Sequence, residues 1–177
     1  MMTFKTAKAK ILFGGAKGGL VIHPHDFANL GLDFIDTLTN LGRSLFLVTG
    51  PARDVPAGYV GCGADEIGVL FEGFKSALRD LALIAYGMKK GASTIGNRVV
   101  SLEDAREMLL QHFDVDYHDR SIIHELISSE RYLELVAASQ ITGKPRMGID
   151  ARTGATGRGL CYGVLALIAR LFLERKW

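Results

Sequence analysis

Lys17 stands among four glycines in the run Phe13-Gly14-Gly15-Ala16-Lys17-Gly18-Gly19. Glycine lets the backbone approach a ligand closely and take positive φ. A lysine held in so cramped a loop loses hydration, which lowers its pKa and fits it to act as acid, base or nucleophile. The same residues also suit a tight turn with a solvated lysine, or a nest of N–H groups around a phosphate. The run is not a P-loop, because Leu20 follows Gly19 where that motif needs lysine. A second candidate is Asp54 in Gly50-Pro51-Ala52-Arg53-Asp54-Val55-Pro56-Ala57-Gly58, which follows an apolar run. A carboxylate at the carboxyl end of a parallel strand sits where open α/β sheets bind ligands, although Asp among Gly and Pro also makes simple turns and caps. The third is Gly154-Ala155-Thr156-Gly157-Arg158-Gly159, whose glycines at a helix start admit either a ligand against free N–H groups or a close helix contact.

The elements that must position these groups follow from hydrophobic spacing. Lys10 to Phe13 reads as a short strand emptying into the glycine loop. Phe27, Leu30, Phe34, Leu38 and Leu41 step at helical intervals, so a helix is expected over Asp26 to Leu41, ended by Gly42. Ser44 to Val48 is almost wholly apolar and closed by Gly50-Pro51, the pattern of a strand buried in a mainly parallel sheet, and strand, helix, strand makes a βαβ unit. Ile67, Leu70, Phe71, Phe74, Leu78, Leu81 and Ala85 predict a long helix over Asp65 to Tyr86. Ser101-Leu102-Glu103-Asp104 reads as a capping box opening a further helix, with Leu102, Ala105, Leu109 and Leu110 on one face. Ile122 to Ala138 continues with helical spacing, and an apolar helix runs from the last glycine cluster to Trp177.

At 177 residues the chain is one domain's worth, with no internal repeat or linker. Charged residues are 23% and the formal charge is +2, without the clustered basic stripe of a nucleic-acid groove, so nucleic acid is not an expected partner. The apolar stretches are too short for a signal-peptide core or a bilayer span, so no membrane partner and a cytoplasmic location are expected. Cys62 and Cys161 lie in no disulfide framework or zinc spacing. His112, Asp114, Asp116, His118, Asp119, His124 and Glu125 invite a metal assignment, but histidines at six-residue steps miss the i, i+4 spacing of two ligands on one helical face, so no metal is expected.

Taken in order, Met2-Thr3-Phe4-Lys5-Thr6-Ala7, the Lys17 loop, Asp54-Val55-Pro56-Ala57-Gly58, Thr142-Gly143-Lys144-Pro145 and Ala155-Thr156-Gly157-Arg158-Gly159 resemble the glutamate/leucine/phenylalanine/valine dehydrogenases, the glutamate members most. The resemblance implies a three-layer α/β/α substrate domain with a mostly parallel sheet, in an oligomeric NAD(P)-dependent amino-acid dehydrogenase. It places Lys17 on the catalytic lysine, Asp54 on the catalytic aspartate, Lys5 on the lysine that holds the substrate carboxylate, and Thr142 and Thr156 on threonines facing substrate and nicotinamide. Oxidative deamination needs a water activated against an iminium carbon and protons exchanged with the amino group, which a lysine of lowered pKa and a nearby carboxylate can supply. Two departures stand out. The stretch from about Arg79 to Gln140 reads as a long helical insertion. No Gly-x-Gly-x-x-Gly occurs, and the nearest run, Gly61-Cys62-Gly63, meets Glu66 where the third glycine belongs. The expectation is a single, partial substrate domain. It handles a small amino acid or 2-oxo acid, preferably glutamate, forms a homo-oligomer, and depends on a separate cofactor-binding polypeptide for NAD or NADP. The alternative is a truncated, non-catalytic paralogue acting as an amino-acid-binding or regulatory subunit.

Overall fold

The structure is a computed structural model that describes residues 4, 7, 8, 10, 18, 19, 21, 23, 25, 26, 29, 31, 33–50, 53–58, 61–89, 93–96, 98–113, 118–146 and 154–174. The chain divides into two compact units, residues 1–34 and 35–177. In the first, the Lys10 N–H closes a turn on the Ala7 carbonyl at 3.1 Å and Lys10 takes a φ of 55°. The strand expected at Lys10 to Phe13 therefore opens on a left-handed turn, and the rest of it lies outside the described residues. Further on, the His23 N–H donates to Asp26 Oδ2 at 3.2 Å and the Asp26 N–H donates back to the His23 carbonyl at 2.8 Å.

The second unit is built around one helix. Helix α1 covers Phe34–Leu45 and α2 covers Ala64–Tyr86. A hairpin of β1 (Ser93–Ile95) and β2 (Arg98–Val100) follows, then α3 (Leu102–Phe113), α4 (Arg120–Ser128), α5 (Glu130–Ala138) and α6 (Ala155–Leu173). The stripe read from the sequence is the buried face of α2: Ile67, Leu70, Phe71, Phe74, Leu78 and Leu81 are all withdrawn from solvent. Against it pack α3, α4 and α5, contributing Leu109, Ile123, Leu126 and Leu133 to one core. Each fully buried aliphatic or aromatic side chain contributes about 1.5–3 kcal/mol, and among the described residues α2 carries more of them than any other element.

Two expectations are corrected at α1. Gly42 does not end the helix, and Ser44 to Val48 is not a strand: Phe46 N–H bonds to the Gly42 carbonyl at 3.0 Å and Thr49 N–H to that of Leu45 at 3.0 Å, so the chain stays wound through that run. Gly42 marks a crossing instead. A methyl there would lie within about 3.1 Å of the Leu70 backbone, and one at Gly73 would lie 3.0 Å from Gly42 Cα and 3.1 Å from Arg43 N. The two glycines let α1 and α2 touch backbone to backbone, and in the run that follows Phe46 is fully enclosed while Val48 stays exposed.

The capping box holds: Asp104 N–H donates to Ser101 Oγ at 3.1 Å and Ser101 N–H donates to Asp104 Oδ2 at 3.1 Å. The buried face of α3 is Ala105, Met108, Leu109 and His112, whereas Leu102 and Leu110 are exposed. Ser129 breaks the last predicted stretch into two helices, ending α4 while its hydroxyl accepts the Tyr132 N–H that starts α5. The hairpin is antiparallel, with Ser93 opposite Val100 and Ile95 opposite Arg98. Arg43 ties it down, reaching Asp80 on α2 at 2.7 Å and the Thr94 carbonyl on β1 at 3.4 Å. The fold is thus mixed helix and strand. Among the described residues its one sheet is this hairpin, joined by a single parallel bridge between Ala57 and Thr142. Helix α6 is apolar and exposed along its length, and among the described residues no helix is long and apolar enough to cross a membrane.

Candidate functional site

The parallel bridge is where two of the sequence motifs meet. After α1 the chain passes through Thr49 and Gly50, both buried, into a tight loop. Gly50 N–H donates to the Asp54 carbonyl at 3.0 Å, and Arg53 N–H donates to that of Gly50 at 3.0 Å. Asp54 is exposed at the end of this loop. Two residues further, the Pro56 carbonyl accepts the Thr142 N–H at 3.0 Å and Ala57 pairs with Thr142. Gly58 then lies so close to the Cys62 carbonyl that a Cβ there would collide with it, and would crowd the Ile67 side chain at 3.2 Å. Gly58, the last residue of the Asp-Val-Pro-Ala-Gly motif, is thereby set against the first turn of α2.

The opposing segment is as firmly held. Lys144 Nζ donates to the carbonyls of Ala138 at 2.8 Å and Ile141 at 2.7 Å, so its charge caps the carboxyl end of α5, where the helix carbonyls favour a cation. Gly143 takes a φ of 84°, a left-handed turn that glycine adopts without steric cost. Pro145 rests on α2 within 3.2 Å of where a Gly68 side chain would begin. Beneath the junction, Thr49 Oγ1 donates to Gln140 Oε1 at 2.9 Å across 91 residues of chain, with Thr49 1% and Gln140 0% exposed.

His112, reaching in from α3, completes the surroundings. Its Nδ1 is 3.0 Å from the Met108 carbonyl and its Nε2 is 3.5 Å from that of Leu47. Burial pushes its imidazole below the ordinary value, and the Arg53 guanidinium on the loop pushes it the same way. Arg53 itself reaches Gln111 on α3 at 3.4 Å. The arrangement presents an exposed carboxylate on a loop pinned at both ends.

Of the residues singled out from the sequence, Asp54 and Thr142 belong to motifs that the fold joins. Thr156 lies in the first turn of α6. Lys5 and Lys17 lie outside the described residues. Thr49, Gln140 and Lys144 were missed as parts of the site. A lone glutamine or threonine carries no sequence signal of a partner so far along the chain.

A dinucleotide does not fit the nearest glycine run. Gly61 turns with a φ of 74° and Gly63 caps α2, where Glu66 Oε2 already accepts the Gly63 N–H at 2.7 Å. Asp65 and Glu66 occupy the first turn, so carboxylates stand where a phosphate would need free N–H groups. Among the described residues no group of three His, Cys, Asp or Glu side chains is placed to hold a metal.

Residues 1–76 match the family described as "Glu/Leu/Phe/Val dehydrogenase, dimerisation domain". The chain is 33% identical over 96 residues to an "NAD(P)-specific glutamate dehydrogenase" of Xylanibacter ruminicola, a match covering 52% of this chain and 21% of the relative. It is 35% identical over 95 residues to an "NADP-specific glutamate dehydrogenase" of Laccaria bicolor, again 52% of this chain and 21% of the relative. The matched stretch thus spans about a fifth of these curated relatives. No solved structure matches the chain.

Proposed function

We propose, from the match of residues 1–76 to the glutamate/leucine/phenylalanine/valine dehydrogenase family, that the chain is the substrate-side portion of an amino-acid dehydrogenase, with L-glutamate and its 2-oxo acid as substrate and product. The observation that carries this reading is the bridge between Ala57 and Thr142, which sets the Asp54 motif beside the Thr142 motif. In this reading Lys5 holds the substrate carboxylate by charge. Thr142 faces the substrate from the segment opposite Asp54. Lys17 activates water for attack on the iminium carbon, and Asp54 exchanges protons with the amino group. A three-layer arrangement around a parallel sheet, the stretch from about Arg79 to Gln140 as an insertion, and assembly into a homo-oligomer belong to the same proposal. NAD or NADP is held by a cofactor-binding polypeptide, with Thr156 facing the nicotinamide. This chain's own glycine run does not fit the dinucleotide, and the steps assigned here are those of its own residues.

Calorimetric titration of the purified full chain with L-glutamate and with 2-oxoglutarate tests the assignment. Binding is expected, and Lys5→Ala should weaken it roughly tenfold or more, the loss of a charge-assisted hydrogen bond. No binding by the wild type, or equal binding by Lys5→Ala, would overturn it. A second reading is an amino-acid-binding or regulatory subunit without turnover, favoured by the Glu66 carboxylate on the Gly63 N–H. Reduced-cofactor formation with NAD and with NADP by the chain combined with the cofactor-binding polypeptide, beside Lys17→Ala, separates the two.

A further inference from the structure

We infer that Gln140 is a positioning residue for the Asp54 loop, acting through Thr49; this rests on the reading of Asp54 and Thr142 as parts of one site. The side-chain bond between Thr49 Oγ1 and Gln140 Oε1 is 2.9 Å long. It joins the roots of both arms. Thr49 immediately precedes Gly50, whose N–H fastens the Asp54 carbonyl, and Gln140 stands two residues before Thr142, whose N–H fastens the Pro56 carbonyl. The loop is thereby held by backbone bonds at its two ends and by one side-chain bond beneath them.

Stability of the core does not account for this pair. Gln140 Nε2 is buried with no hydrogen-bond partner among the described residues. Turning the carboxamide over leaves its oxygen unpaired instead, because Thr49 supplies one hydroxyl. An unpaired buried amide group is unfavourable, and an apolar side chain of the same size would avoid it. What an apolar side chain could not do is select one register. The segments meet 91 residues apart in sequence, in a seam where Thr49, Gln140 and Ile141 are at most 1% exposed. In such a dry seam a directional bond is stronger than in water and penalises a slipped alignment. Gln140 also stands one residue past the Ser139 cap of α5, its N–H on the Ala137 carbonyl at 3.0 Å, so the helices that pack on α2 are connected through it to the Asp54 loop.

Amide hydrogen exchange of the full chain tests this without a ligand. In Thr49→Val the Gly50 and Thr142 amides should exchange about tenfold faster, as expected for one lost hydrogen bond, while α2 amides such as Leu78 and Leu81 stay unchanged. Thr49→Ser, which keeps the hydroxyl, should restore both. Gln140→Met should reproduce Thr49→Val, and glutamate affinity should fall with the two amides. The inference is overturned if Gly50 and Thr142 are unmoved in folded Thr49→Val, or if all amides quicken together. If wild-type chain binds no glutamate, the functional reading fails while the exchange pattern still decides whether Gln140 positions the loop.

Discussion

Replacing Gly73 by alanine probes the contact on which the Asp54 loop depends. Alanine in a helix interior is favoured over glycine by about 1 kcal/mol, so on helix propensity alone Gly73→Ala should stabilise α2. The structure reverses the sign. The added methyl would sit 3.0 Å from Gly42 Cα and 3.1 Å from Arg43 N, and closer still to the Thr39 carbonyl oxygen. All of these are backbone atoms that cannot swing aside. Relief requires α1 to move off α2, and overpacking of this kind typically costs about 1–3 kcal/mol. It also loosens the packing of Leu38, Phe46 and Leu70, and a gap of about 0.5–1 Å forfeits a quarter to a half of each dispersion contact. The net expectation is a destabilisation of about 2 kcal/mol, which for a chain of this size lowers Tm by about 4–8 °C. Gly163 on α6 supplies the control, since a methyl there meets nothing within 4 Å, and Gly163→Ala should raise stability by up to about 1 kcal/mol. Thermal melts and urea midpoints of both variants beside wild type decide the matter. A Gly73→Ala protein as stable as wild type would refute the backbone crossing, and with it the account of why Ser44 to Val48 winds rather than extends.

Asp80 is drawn up by burial but drawn down further by Lys89 and Arg43, so its carboxyl titrates below the ordinary value. The stability it contributes is present above the unfolded-state value of about 3.9 and lost as pH falls through the folded one. Asp80→Asn should cost about 1 kcal/mol at pH 7, discounted for its partial exposure, and the difference from wild type in urea titrations should shrink as pH falls through the folded value. For His112 the lowered imidazole value means that the unfolded chain takes up a proton before the folded one does. Stability should be at its full level above about pH 6.5 and fall as pH drops below it, so the urea midpoint of wild type should decline from pH 8 to pH 5 more than that of His112→Gln. Equal declines would remove His112 from the account.

Much of the helical architecture was legible because it rests on local periodicity. The stripe from Ile67 to Leu81 is one face of α2, and the reciprocal Ser101 and Asp104 bonds are a four-residue pattern. The misreading at Ser44 to Val48 has a definite cause. A short apolar run suits either a central strand or the end of a helix crossed by another, and the deciding fact is Gly73, far along the chain. Gly42 was ambiguous for the same reason, since a glycine that stops a helix and one that admits a neighbouring helix look alike in sequence.

The candidate site divides the same way. The sequence by itself determined the chemistry on offer, a carboxylate at Asp54 and threonines and lysines in recognisable order, because residue type and short spacing are local properties. Only the tertiary structure decided which of these groups share a place. It paired Ala57 with Thr142, joined Thr49 to Gln140, and turned the Lys144 charge onto the end of α5. All three contacts depend on how the chain returns on itself at the end of α5, and in two of them the partners lie far apart in sequence. Whether such partners meet is set by the packing of α2 against α1, α3, α4 and α5 as a whole, and no window of neighbouring residues contains it.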